Sequence, residues 1–173
     1  LTSEEPVQQA PVPASSEGFK TAFATCFSQN SEQDNCSNPS IIPTADKTST
    51  GNCKNRCIAL PSTSAKNRKV TVCTLDGVKC VDTIVGDTGP WCIYDDDYVF
   101  GNERPLAEQL KGKKWAALSD SQKQKCAGVS NVGWKTQNLS SNGAGIDLTR
   151  QIMTELEVGG DPSRDQVKWK FID

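Results

Sequence analysis

The sequence predicts a small all-β domain with short peripheral helices, held together by four disulfides. Three observations carry that expectation. Asp76-Gly77 sits between two Val-rich alternating runs, a strong short-range hairpin signal. Val167, Trp169 and Phe171 alternate with Lys168 and Lys170, the pattern of a half-buried strand. Eight cysteines occur in a chain without histidine, which favours disulfides over zinc.

Length and composition set the frame. With 173 residues the chain can build one compact core, but an apolar share of 35% makes that core modest and in need of reinforcement. No CxxC pair occurs; the closest spacing is Cys53-Lys-Asn-Arg-Cys57. Disulfides imply an oxidising compartment, so a secreted or periplasmic location is expected, with numbering that starts after a removed signal peptide. No segment approaches the roughly 20 apolar residues of a membrane span. The 19 basic and 21 acidic residues are intermixed and give a net charge of −2, with no basic stripe for nucleic acid. No histidine means no Ser-His-Asp or Cys-His catalysis, and no glycine-rich phosphate loop is present. A cofactor-free, monomeric protein is the expectation.

Residues 1–18 are rich in Pro, Ser, Gln and Glu and cannot offset their ordering entropy by burial. They read as a flexible linker or tail, or as the remnant of a propeptide, ahead of one domain over 19–173. Residues 19–57 combine a short apolar run, Phe19 to Phe27, with loops bearing Cys26, Cys36, Cys53 and Cys57, whose pairing stays open. Strands over Lys69–Leu75 and Val78–Val85 follow. A two-residue turn between them sets Cys73 opposite Cys80 within disulfide reach and puts Val70, Val72, Val81 and Val85 on the other face. Cys92 and Cys126, both beyond the stapled region, are then expected to pair. Residues 91–140 read as a long polar insertion, in which Ser119-Asp-Ser-Gln122 is a capping box opening a short helix through Cys126. Leu148, Ile152, Met153 and Leu156 predict a helix over 147–158 ended by Gly159-Gly160, before the terminal strand.

Two acids stand beside glycine-dictated bends at the ends of apolar runs: Asp87 in Gly86-Asp-Thr-Gly-Pro-Trp91 and Asp147 in Gly145-Ile-Asp-Leu148. Paired carboxylates are what glycosidic cleavage requires. Each also has a plainer reading, Asp87 as an Asx-turn and Asp147 as the N-cap of the following helix. Tyr94-Asp-Asp-Asp-Tyr98 places three acids between two aromatics without the alternation or loop glycine of a calcium site. Trp91, Tyr94, Asp95 and Asp97 are therefore expected to line a groove for sugar, with no metal.

Arg56-Cys-Ile-Ala-Leu-Pro-Ser62, the Val-rich hairpin, the Gly86–Trp91 motif and Gly145–Leu148, taken in that order, resemble the double-psi β-barrel superfamily. Its relatives include rare-lipoprotein-A-like proteins, the three-aspartate domain of lytic transglycosylases, expansins and barwin. The resemblance covers roughly residues 50–173. It implies a six-stranded closed barrel with an open groove that brings Asp87 and Asp147 together. It further implies cleavage of a cell-wall polysaccharide, peptidoglycan foremost, by a lytic transglycosylase route in which Asp87 transfers the proton and Asp147 partners it. The alternative is a non-catalytic carbohydrate-binding module of the expansin or barwin kind, or a small secreted enzyme inhibitor.

Overall fold

The computed structural model describes residues 18–26, 56–126, 132–136 and 138–173, and within them six strands close into one barrel. In chain order these are β1 (Lys20–Cys26), β2 (Ile58–Leu60), β3 (Lys69–Thr74), β4 (Cys80–Thr88), β5 (Ile146–Leu148) and β6 (Gln166–Phe171). Around the barrel they run β1-β5-β2-β4-β3-β6. The β1/β5 and β2/β4 neighbours are parallel and the remaining neighbours antiparallel. Two-residue alternation sorts each strand. Ala22 and Ala24, Val70 and Val72, and Val167 and Trp169 face the core together with Ile58, Leu60, Ile146 and Leu148. Buried Trp169 donates its indole N–H to the Tyr98 hydroxyl at 2.7 Å, which satisfies both polar groups inside that core.

The hairpin forms with Cys73 and Cys80 as direct partners, joined by a disulfide. Its turn is wider than the sequence predicts. The strands stop at Thr74 and Cys80, and the Thr74 N–H to Lys79 carbonyl bond, 2.9 Å, is the last rung before the loop Leu75–Val78. The Asp76 carboxylate takes the Thr74 hydroxyl at 2.5 Å and the Val78 amide at 3.0 Å. Those local bonds compete with strand pairing. Val78, 77% exposed, has nothing to pack on at the tip.

Cys92 and Cys126 are paired as expected. Cys26 and Cys57 are also disulfide-bonded, and no cysteine among the described residues is free. The structure thus describes two bridges in full rather than the four expected. Cys36 and Cys53 lie outside the described residues, as do the tail over 1–17 and most of the stapled loop region.

The stretch over 91–140 is not a featureless insertion. It is a helical lobe of α1 (Asp96–Val99), α2 (Leu106–Gln109), α3 (Asp120–Lys125) and α4 (Val132–Thr136), with a 3-10 turn at Trp115–Ala117. Leu110, Leu118 and Trp134 pack with the Cys92–Cys126 bridge as a second small core, against which Trp91, Leu106 and Trp115 rest. Helices of four to six residues are too short to show a 3.6-residue period, so only the capped one was legible. In α3 both bonds of the capping box are present, Gln122 N–H to Ser119 Oγ at 3.2 Å and Ser119 N–H to Gln122 Oε1 at 2.9 Å.

The last helix, α5 (Arg150–Leu156), is shorter at both ends than the apolar periodicity predicts. Leu148 belongs to β5, where pairing with β1 and β2 claims its backbone. At the other end Glu157, with φ 55°, closes the helix before the glycine pair is reached. No helix among the described residues is long and apolar enough to cross a membrane.

Candidate active site

The short strand β2 is the axis of the site. On one side Ala59 pairs with Asp147 of β5, and on the other it pairs with Asp87 of β4. Asp147 is in turn the partner of Thr25 on β1. Thr25, Asp147, Ala59 and Asp87 therefore form one row across four adjacent strands. Ile58, Leu60, Ile146 and Leu148 alternate with this row and point into the core, so the row lies on the opposite face.

A register shift is what brings Asp87 to that face. Ile58 pairs with Val85, yet Ala59 pairs with Asp87, which leaves Gly86 as an extra residue on β4. In an unbroken strand Asp87 would share the core face with Val85. The bulge turns it outward beside Ala59, as bulges near functional sites often do. With strands about 4.8 Å apart, the two acid-bearing backbones stand roughly 10 Å from each other, within side-chain reach of a common point.

The two carboxyls have different surroundings. Asp147 is 7% exposed, and its Oδ1 finds no hydrogen-bond partner among the described residues. Burial, reinforced by the Asp87 charge, pushes its carboxyl well above the ordinary value of 3.8. The Gly89 backbone closes over it, so close that an added Cβ would sit 3.4 Å from Asp147 Oδ2. Asp87 is half-buried and accepts the Thr88 amide at 2.8 Å. Of the two plainer readings, the N-cap one fails, while Asp87 does bond a following amide. Thr149, not Asp147, occupies the N-cap position of α5, and the Asp87 bond to its own neighbour leaves its other oxygen for further contacts.

The remaining site candidates divide. Trp91 stays with the pair through the loop that carries Gly89. Its indole N–H donates to Asn142 Oδ1 at 2.6 Å, and its ring meets Trp134 edge-on at 5.0 Å. Tyr94 is 48% exposed, held by a backbone bridge to Ser62. Asp95 borders a hollow with Asp97, away from the acid pair, but is itself almost wholly buried. It is 3% exposed, and its carboxylate accepts the Leu106 amide at 2.7 Å, tying α2 to the start of α1, while its own amide donates to the Pro61 carbonyl just past β2 at 2.9 Å. Desolvation raises its pKa to about 6 against the hydrogen bonds that lower it. Asp96 accepts the Ser62 hydroxyl at 2.6 Å, and Asp97 pairs with Lys125 at 2.5 Å. The acidic run thus serves the attachment of the lobe, because each carboxylate finds a donor on a different neighbouring segment.

Two hollows, of about 440 and 380 Å³, lie elsewhere. The first is lined by residues that include Lys20, Tyr98, Arg104 and Gln166, the second by Asp95, Asp97, Arg104 and Lys125. Neither is lined by Asp87 or Asp147. Among the described residues no group of three or more His, Cys, Asp or Glu side chains is placed to hold a metal ion.

Sequence reasoning missed Asn142 and the bulge at Gly86. The signal for Asn142 was its place before Gly143-Ala-Gly145, a run that passes close to neighbouring side chains. A Cβ on Gly145 would stand 2.6 Å from Pro105 Cγ. A family model described as a domain of unknown function (DUF8814) matches residues 32–168. No curated protein matches the chain.

Proposed function

The chain belongs to that family, so its activity has to be read from the acid pair, and we propose that it cleaves the glycan strand of a cell-wall polysaccharide. Peptidoglycan is the polymer and lytic transglycosylation the route. The observation that carries this reading is that Ala59 has one aspartate as partner on each side, of which one is buried and disposed to hold its proton.

On this reading the roles are the reverse of those the sequence resemblance implies. Asp147 O–H donates its proton to the oxygen bridging two sugars, and the bond from that oxygen to the anomeric carbon breaks. Asp87, the more exposed carboxylate, stabilises the positive charge left on the sugar. The Asp147 carboxylate then accepts the C6 hydroxyl proton while that oxygen attacks the anomeric carbon, closing an anhydro ring without water. A carboxylic acid kept protonated by an apolar site is suited to the first step. Exposed Tyr94 offers a ring face on which a sugar can stack. The barrel is read as a double-psi barrel working outside the cytoplasm, where its disulfides persist.

Digestion of purified murein followed by mass analysis tests the reading. Anhydro-sugar ends that disappear in Asp147→Asn are expected. Reducing ends would indicate hydrolysis instead. Retention on the polymer without cleavage would replace catalysis by the binding-module reading, and neither retention nor cleavage would leave the inhibitor reading.

A further inference from the structure

Trp91 and Asn142 join the two acid-bearing segments beyond their strand pairing, adding to the packing of α5 on β4 and β5 and to the Gly89 N–H to Leu60 carbonyl bond of 3.1 Å. Trp91 lies two residues beyond Gly89, the residue that closes over Asp147 Oδ2. Asn142 begins the run that ends in β5. Its Oδ1 accepts two donors, the Trp91 indole N–H at 2.6 Å and the Ala144 amide at 3.0 Å. The segment is anchored behind it, since the Ser141 hydroxyl donates to the Ala107 carbonyl at 2.8 Å and accepts the Gly143 amide at 3.2 Å. The far side of Trp91 is fixed by Trp134 in the core of the lobe.

We infer that Asn142 is a positioning residue that, by accepting the Trp91 N–H, latches the Gly89 loop over Asp147 and keeps water from its carboxyl. The step from latch to chemistry rests on the glycan-cleaving reading above; the latch itself does not. An amide oxygen has two lone pairs and can take both donors, and a partly buried indole N–H left without an acceptor is costly. With the latch open, the Gly89 loop lifts and Asp147 gains solvent. Of the groups around Asp147, Asp87 on β4 is the charged one, while β1 and β2 contribute Thr25 and Ala59.

Asn142→Leu removes the acceptor at similar size, and Trp91→Phe removes the donor while keeping an aromatic ring, so one of the two is expected to fold. The readout is the titration midpoint of the Asp147 carboxyl carbon by NMR, alongside kcat and KM on murein. Each variant should lower the midpoint by about one pH unit or more. Each should cut kcat roughly ten- to hundredfold with KM little changed, and the double variant should lose no more than either single. A midpoint unmoved in both variants overturns the latch, even if activity falls. A midpoint that moves in a protein with no activity on murein supports the latch and overturns the glycan-cleaving reading alone.

Discussion

Asp87 and Asp147 meet through a residue that has no functional group of its own: both are register partners of Ala59, from opposite sides of β2. The methyl between the two acids is itself buried, with Ala59 1% exposed. It also offers neither carboxylate a hydrogen bond, so Asp147 has burial and a neighbouring negative charge with nothing to offset them.

That imbalance has a consequence for stability. The folded state raises the Asp147 pKa above 3.8, so it binds a proton that the unfolded chain has already lost. The associated stability is fully present below about pH 4 and is lost as pH rises through the folded value. Asp147→Asn cannot ionise and lacks this loss. Denaturant unfolding should therefore show the variant gaining on the native protein as pH rises from about 4, while cleavage is abolished at every pH. A difference that stays flat with pH would mean that the carboxyl is hydrated.

Asp95 makes the same argument with a defined window, because its folded pKa is about 6 against 3.8. Its stabilising contribution falls between about pH 4 and pH 6 as the buried carboxylate ionises. In Asp95→Asn the side-chain oxygen can still accept the Leu106 amide. Relative to the native protein the variant should gain on the order of 1–3 kcal/mol across that window. Measured stability differences at pH 4 and pH 7 decide it.

The barrel wall was legible where alternation and turn chemistry act locally. Val70, Val72, Val81 and Val85 went to the core, and Cys73 met Cys80, because a two-residue period needs only neighbouring residues to be read. Asp87 and Asp147 could be picked out by their glycine bends, but their shared row could not. It depends on a bulge at Gly86, and a register shift leaves no trace in a pattern of apolar residues. The partners of the acidic run were hidden for a related reason. Asp95, Asp96 and Asp97 find Leu106, Ser62 and Lys125, partners that only tertiary structure brings close. The length of β5 was hidden too, since Leu148 fits the helical period of α5 as well as it fits a strand.

Gly145 tests the closeness of the segment that delivers Asp147. A Cβ there would stand 2.6 and 2.8 Å from Pro105 and 3.1 Å from Ala22 Cβ, and none of these is the end of a flexible side chain. Gly145→Ala should destabilise the fold by about 1–3 kcal/mol through overpacking. The shift should appear in the denaturation midpoint with the slope unchanged. A neutral result would mean that the helical lobe moves away at little cost.

The two described disulfides should differ in what they contribute. Cys73 and Cys80 are 7 residues apart, whereas Cys92 and Cys126 are 34 apart and close the helical lobe. Loop-closure entropy alone gives about 2.5 kcal/mol for the first and about 4 kcal/mol for the second. The larger loss should come from replacing Cys92 and Cys126 by Ser, and it should be local in origin. Trp91 and Trp134 pack in the core built on that bridge, so their tryptophan fluorescence should respond in this variant. The Cys73/Cys80 replacement should leave the Trp91 and Trp134 contribution as it was, because that hairpin pairs with the Trp169 strand and contributes no residue to the core of the lobe. Equal losses, or an unchanged tryptophan signal in the Cys92/Cys126 variant, would show that the lobe holds its place without its bridge.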